Sequence, residues 1–247
     1  MKSNNKFYNS ASFYYDRMID FDSALKNRKT LLSNFINSKM KSVADIGCGT
    51  GVDSISLSQL GLNVTAFDPS AEMINTAREN STRLNSPITF YNLQASKIPG
   101  SFYNKFDFIL SLGNTIANIS PSRLEKTFVK LFKMLKADGN ILIQILNYEK
   151  ILKNKERIVN ITKKDNEYFI RFYDFGKKNL TFNILRFTAD NPAEKELIST
   201  RVFAYKEKEI KNLLSKTGFK KIETLAGLDR NIFEAKTSND LVLLAKK

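Results

Sequence analysis

Asp45, Gly47, Gly49, Gly51 and Asp68 are the residues whose types and spacing suit them to chemistry. Glycines at alternate positions let a backbone pass within contact distance of a ligand and adopt positive φ. Free N–H groups at the start of the following helix favour a negative group. A carboxylate ending the next strand can accept both hydroxyls of a ribose, and Asp68 stands 17 residues after Gly51, near the distance such a unit needs. The spacing is GxGxG, in GCGTG, and not the GxGxxG of a dinucleotide pyrophosphate site. Asp45, two residues before Gly47, would repel a pyrophosphate and suit a cationic amino-acid ligand. Histidine is absent, which removes the usual general base, the common metal ligand and the Ser/His triad. Any base is then Asp, Glu, Lys, Tyr or solvent.

A ligand with a ribose, an ammonium and a sulfonium meets these demands together, which points to S-adenosylmethionine as cofactor. The stretch Val43 to Arg78 resembles motif I and the acidic strand end of class I S-adenosylmethionine-dependent methyltransferases. Within it GTGVDSI, Gly49 to Ile55, is similar to the glycine/sarcosine N-methyltransferase branch. The resemblance implies that Asp45, Gly47, Cys48, Gly49 and Gly51 form the loop for the amino-acid end, with Asp68 and Pro69 at the ribose. It implies Met73 beside the adenine, where the plainer role is core, and Gln94, Ala95 and Ser96 at its amine. Relatives often carry an acid at the Gln94 position, and the glutamine carbonyl can still accept from that amine. Cys48 reads as a small side chain under the loop and not as a nucleophile.

SLGNTIANI, Ser111 to Ile119, resembles the LGNSxAHL-like segment of the same branch. That places Leu112 and Gly113 at the cofactor and Asn114 at the acceptor, with Asn118 where the family has histidine. The alternative for Asn114 is a helix cap. Tyr14 and Tyr15 match a YYD-like segment that folds over the cofactor, which puts Tyr14 at the cofactor and Tyr15 at the acceptor. Cation–π attraction suits rings near a sulfonium, and packing of the next helix is the alternative. Asn147 and Tyr148 match an arginine-asparagine-tyrosine run whose arginine holds the acceptor carboxylate; Leu146 stands in its place. The resemblance therefore implies a poor glycine methyltransferase. Its acceptor is less acidic or bulkier, or its anion meets Arg157, Arg171 or Arg186, which the sequence does not rank.

The elements that must position these residues follow from periodicity. Val43 to Ile46, Asn63 to Phe67, Ile88 to Leu93, Phe106 to Leu112 and Asn140 to Leu146 read as parallel strands. Helices are expected over Ser23 to Ser38, Val52 to Leu60, Ala71 to Asn80, Ser122 to Lys136 and Glu207 to Thr217. Phe219 to Leu225 and an antiparallel Asp240 to Lys246 complete the sheet. Residues 151–205 alternate apolar and polar with turns at KKDN, GKKN and DNPAEKE, and read as an antiparallel insertion with Tyr168, Phe172 and Tyr173 as candidate linings. The expectation is an α/β fold: a seven-stranded Rossmann-like methyltransferase sheet with an inserted antiparallel β cap, in one domain over residues 1–247. Residues 1–40 form a lid segment and helix.

The chain of 247 residues is long enough for one full core. No apolar run approaches a membrane span and no leader is legible, so a cytoplasmic place without membrane partners is expected. One cysteine excludes an internal disulfide and a cysteine-cluster metal site. Net charge is +14, with 18 basic and 9 acidic residues between Lys150 and Lys221. Acids are interleaved there, which favours a solvated lysine-rich surface over a nucleic-acid site. The expected partner is a small-molecule acceptor, an amine first. An RNA methyltransferase, a non-catalytic cofactor-binding regulator and a homo-oligomer stay open.

Overall fold

The computed structural model describes residues 2–177 and 180–247, so Lys178 and Asn179 of the GKKN turn lie outside the described residues. Two helices precede the first strand: α1 (Lys2–Ile19) and α2 (Phe21–Ser33). The sequence predicts one helix here, starting at Ser23, so α1 is additional. The β-loop-α-β unit follows as β1 (Ser42–Ile46), α3 (Val52–Gln59) and β2 (Asn63–Phe67). Next come α4 (Ala71–Arg83), β3 (Ile88–Tyr91), β4 (Phe106–Ser111) and α5 (Pro121–Met134). Ser70 caps α4 by accepting from the Met73 N–H at 3.2 Å.

Strand β5 (Leu135–Leu146) starts five residues earlier than its periodicity suggests. Asp138 takes a left-handed φ of 62° within the strand, close to where its pairing with β4 shifts register. The first residues of the expected insertion, 151–154, belong instead to a helix, α6 (Tyr148–Asn154). The insertion is β6 (Ile158–Lys164), β7 (Glu167–Phe175), β8 (Leu180–Thr188) and β9 (Lys195–Val202). The chain closes with α7 (Glu207–Thr217), β10 (Lys220–Leu225) and β11 (Asp240–Lys246).

The main sheet has seven strands in the order β10-β11-β5-β4-β1-β2-β3. Strands β1 to β5 pair in parallel, and β11 runs antiparallel to both β5 and β10. Successive side chains point to opposite faces, so Val43, Phe108 and Leu110 meet Leu32 and Leu57 on one side. Ala44, Ile109 and Ile143 meet Phe128, Leu131 and Leu214 on the other. Burial on both faces is what a parallel sheet requires. The four-stranded antiparallel sheet β6-β7-β8-β9 is separate and forms the cap.

Helix α1 joins the two sheets. At 100° per residue, Phe7, Ala11, Tyr14 and Met18 form one stripe, and they pack with Phe169 and Ile184 of the cap. A second stripe bonds to the strand ends of the main sheet. Asn5 donates to the Pro69 carbonyl at 3.2 Å, Asn9 accepts from Ser70 at 2.6 Å, and Asp16 accepts from Asn80 at 2.8 Å.

Candidate functional site

The glycine loop leaves β1 at Gly47, whose N–H donates to the Phe67 carbonyl at 2.7 Å and ties the loop to β2. Gly47 has φ +79°, and a Cβ there would land inside the Thr115 side chain. Gly49 has φ +55° and open space where a Cβ would point. The first glycine thus serves packing, and the second keeps room beside the loop. Asp68 sits at the end of β2 and braces that loop. One carboxylate oxygen accepts from the Gly49 N–H at 3.0 Å and the other from the Ser70 N–H at 2.8 Å. Burial raises its pKa to about 6 despite both bonds. Each oxygen can accept once more, so the carboxylate can hold the loop and take ribose hydroxyls as well.

Asp45 lies beneath the loop. It is buried and accepts from the Ser54 hydroxyl at 2.5 Å. Burial first, and the neighbouring Asp53 next, raise its pKa to about 8. Asp53 is raised by burial as well, against the opposing charge of Arg28 at 2.9 Å. Asp16, on α1, is raised by burial. Asn80 connects it to the loop by donating to Asp16 and to the Thr50 carbonyl, at 2.8 and 3.1 Å. Thr50 Oγ1 and Asp16 Oδ1 are both buried, and the Thr50 hydroxyl opposes the burial shift of Asp16.

Beyond β4, Gly113 and Asn114 take left-handed φ of 59° and 67°. Asn114 precedes a 3-10 turn over Thr115–Asn118, but its side chain makes no cap bond. Its amide instead donates to the Tyr148 hydroxyl at 2.7 Å and accepts from the Leu146 N–H at 3.2 Å. The helix-cap alternative is therefore set aside. Tyr148 in turn meets the Tyr173 hydroxyl of the cap at 3.5 Å. Asn118 donates to the Tyr8 hydroxyl at 3.0 Å. Tyr8 is the junction: burial raises its pKa most, and Tyr15, Asp68 and Tyr148 all act on it.

The adjacent tyrosines separate. Tyr15 is under the influence of Arg171, Asp68, Asp53 and Asp16. Tyr14, expected at the cofactor, is turned 100° around α1 and packs on Phe169 of the cap with ring centroids 5.5 Å apart. The Arg186 guanidinium lies 5.4 Å from the Tyr14 ring centroid. Met73 joins the same apolar cluster as Tyr14, which is the core role held as its alternative. Cys48 packs under the loop with Ile74, Ala77 and Phe90. Gln94, Ala95 and Ser96 are partly exposed at a 3-10 turn over Ala95–Lys97, and Leu112 is core. Pro69 gives its carbonyl to Asn5 of α1. Of the proposed cap linings, Tyr173 faces inward. Tyr168 and Phe172 alternate to the other face, where Tyr168 stacks on Phe187 at 5.2 Å.

A methyltransferase-domain family model matches residues 43–139, from β1 into β5. The glycine/sarcosine N-methyltransferase of Aphanothece halophytica is 32% identical over 113 residues, covering 45% of this chain and 43% of that protein. The glycine/sarcosine N-methyltransferase of Parasynechococcus marenigrum is 21% identical over 219 residues, covering 88% of this chain and 77% of that protein. The fold matches the crystal structure of an S-adenosylmethionine-dependent methyltransferase from Clostridium acetobutylicum. Its TM-score is 0.77 and its identity 21%, over 97% of this chain and 98% of that one.

Residues 43–139 carry a methyltransferase domain, and the chain has the fold of the S-adenosylmethionine-dependent methyltransferases. S-adenosylmethionine is the cofactor of this methyltransferase family, and the residues present fit it. Asp68 has acceptor capacity to spare, Gly49 leaves room, and Asp16 adds a carboxylate tied to the loop that an ammonium could meet. Tyr8 and Asn118 were not among the site residues predicted from the sequence. The seven-residue spacing of Tyr8 and Tyr15, two helical turns on one face, is the signal that could have found Tyr8.

Proposed function

We propose that this methyltransferase methylates a small amine. The observation that supports this most is the junction at Tyr8, where the Asp68 end of the cofactor loop and the Asn114–Tyr148–Tyr173 chain act on one hydroxyl. S-adenosylmethionine, when bound, supplies an electrophilic methyl group, which an amine lone pair can take without prior activation by a base.

The chain's own residues then align and enclose. Asn114 fixes Tyr148, and α1 covers the loop through Asn5, Asn9 and Asp16. Burial holds the hydroxyls of Tyr8, Tyr15 and Tyr148 above the ordinary tyrosine range and raises Tyr173 to about 12. At neutral pH these groups are hydrogen-bonding hydroxyls, not bases. Catalysis rests on alignment and exclusion of water. The amine has to arrive as the free base, so the rate should rise with pH until the acceptor is deprotonated.

The test is a screen of small amines and amino acids for acceptor-dependent formation of S-adenosylhomocysteine. Turnover with at least one amine is expected. Cofactor binding with no acceptor-dependent product, across the whole panel, would remove the amine reading.

A further inference from the structure

Arg171 is a half-buried cation with no carboxylate paired to it among the described residues. It lies on β7 between Phe169 and Tyr173 on the inward face, both of which are buried. Its Nε donates to Asn160 Oδ1 at 2.5 Å, and no carboxylate among the described residues forms an ion pair with it. The two other cap arginines differ. Arg157 faces Asp174 at 3.6 Å. Arg186 is bonded to Glu167 and lies 3.8 Å from Glu196. The groups acting on Arg171 are the hydroxyls of Tyr15 and Tyr173, two members of the site. A guanidinium stays charged even when buried, and a buried charge is costly unless it is paired.

A complementary group lies in the turn after β4. Asn118 Oδ1 is buried and has no hydrogen-bond partner among the described residues, although its Nδ2 donates to the Tyr8 hydroxyl. The cap strand thus offers a guanidinium without a carboxylate, and the turn after β4 an acceptor without a donor. Tyrosines link the two: Tyr8 bonds to Asn118, and Tyr15 acts on both Tyr8 and Arg171.

We propose that Arg171 and Asn118 form the acceptor subsite, which takes a small molecule carrying both an amine and an anionic group. The anion pairs with the Arg171 fork, and an amine N–H donates to Asn118 Oδ1. This rests on the methyl-transfer reading above. It also places the anion contact on a cap strand and not at Leu146, the end of β5. The reach from amine to anion is then set by the gap between the cap and the turn after β4. It need not match that of glycine.

Calorimetry on the full chain saturated with S-adenosylhomocysteine tests this. The probes are glycine, β-alanine and phosphoethanolamine, each beside a neutral counterpart: glycinamide, β-alaninamide and ethanolamine. At least one anionic probe should bind the wild type at least tenfold more tightly than its neutral partner. Arg171→Gln should erase that difference, Arg171→Lys should restore part of it, and Arg157→Gln should leave it intact. Which anion binds distinguishes a carboxylate acceptor from a phosphate one. No preference for any anionic probe in the wild type would overturn the subsite without recourse to a variant. An undiminished preference in Arg171→Gln would overturn it too. S-adenosylhomocysteine affinity reports whether each variant is folded. Parallel assays with S-adenosylmethionine separate the two readings. Turnover of neutral amines alone sinks the subsite, whereas anion binding without turnover of any probe sinks methyl transfer.

Discussion

Asp107 stands near the start of β4 and Asp68 at the end of β2, so they mark opposite ends of the parallel strands, and their surroundings are opposite too. Partial burial works against the Asp107 charge, but Lys136 at 2.8 Å and donors from Ser42 and Lys41 outweigh it. Its carboxyl is held well below the ordinary range. At the other end Asp16, Asp45, Asp53 and Asp68 are all raised by burial. Arg28, beside Asp53, opposes that shift and does not reverse it. The first end spends its carboxylate on holding β1 to β4. The second end concentrates acids whose charge burial opposes and a cationic ligand would favour. Strands of open α/β sheets present ligands at their carboxyl ends, and here the carboxylates show the same polarity.

The sharpest way to break this contrast is at the loop. Gly49→Val should cost about 1–2 kcal/mol of stability through its left-handed φ. Its main effect should be on cofactor affinity, lost by more than about 100-fold, or roughly 3 kcal/mol, as a side chain fills the space beside the loop. Thermal unfolding and calorimetry together check it; a folded variant with ordinary affinity would mean that Gly49 does not border the ligand. Gly47→Ala should show the reverse split, failing at the level of folding because its Cβ would overlap Thr115.

Asp45→Asn should give a smaller effect of opposite sign. An acid whose folded pKa is raised from 3.8 to about 8 loses stability as pH climbs between those values. The amide removes that loss, so the ligand-free variant should be more stable than wild type at pH 7, on the order of 1 kcal/mol or more. Denaturant melts at pH 4 and pH 7 decide it: the gain should appear only at the higher pH. A loss at pH 7 would show that the Asp45 charge is compensated where it lies.

Asp107→Ala probes the other end and should do least. Removing its bonds to Lys41, Ser42 and Lys136 should cost about 1–2 kcal/mol, because Lys136 is partly in solvent and screened. A depressed folded pKa makes this contribution complete above the unfolded value and lost as pH falls, so the variant and wild type should converge in acid. Cofactor affinity should not move. A change in affinity would join the two ends that the comparison separates.

The stretch from β1 to β2 was legible because its signals are local: an apolar strand, glycines, a helix and an acid at the strand end. The cap strands were legible by alternation, and the same alternation sorts Tyr173 from Tyr168 once the inward face is known. Helix α1 was not legible, because its asparagines, serines and tyrosines have modest helix propensity and its stripes acquire meaning only against two separate sheets. That is also why Tyr14 was assigned to the cofactor although its ring packs into the cap. Helix α6 was missed although Asn147 caps it by accepting from the Lys150 N–H at 3.4 Å; a motif match had already claimed that asparagine. Arg157, Arg171 and Arg186 were equivalent as sequence, and only their partners separate them.

The central claim is that the Asp68 end of the sheet holds S-adenosylmethionine. Calorimetry of that ligand with wild type and Asp68→Ala, from pH 5 to pH 8, tests it most directly. Asp68 titrates at about 6 in the free protein, and its ionised form is the better acceptor for ribose hydroxyls. Wild-type affinity should therefore rise with pH, by up to about tenfold per unit below pH 6, and level off above it. Asp68→Ala should bind more weakly by about 1–3 kcal/mol at pH 8 and lose this dependence. Wild-type affinity in Asp68→Ala, with the same pH profile, would contradict the assignment.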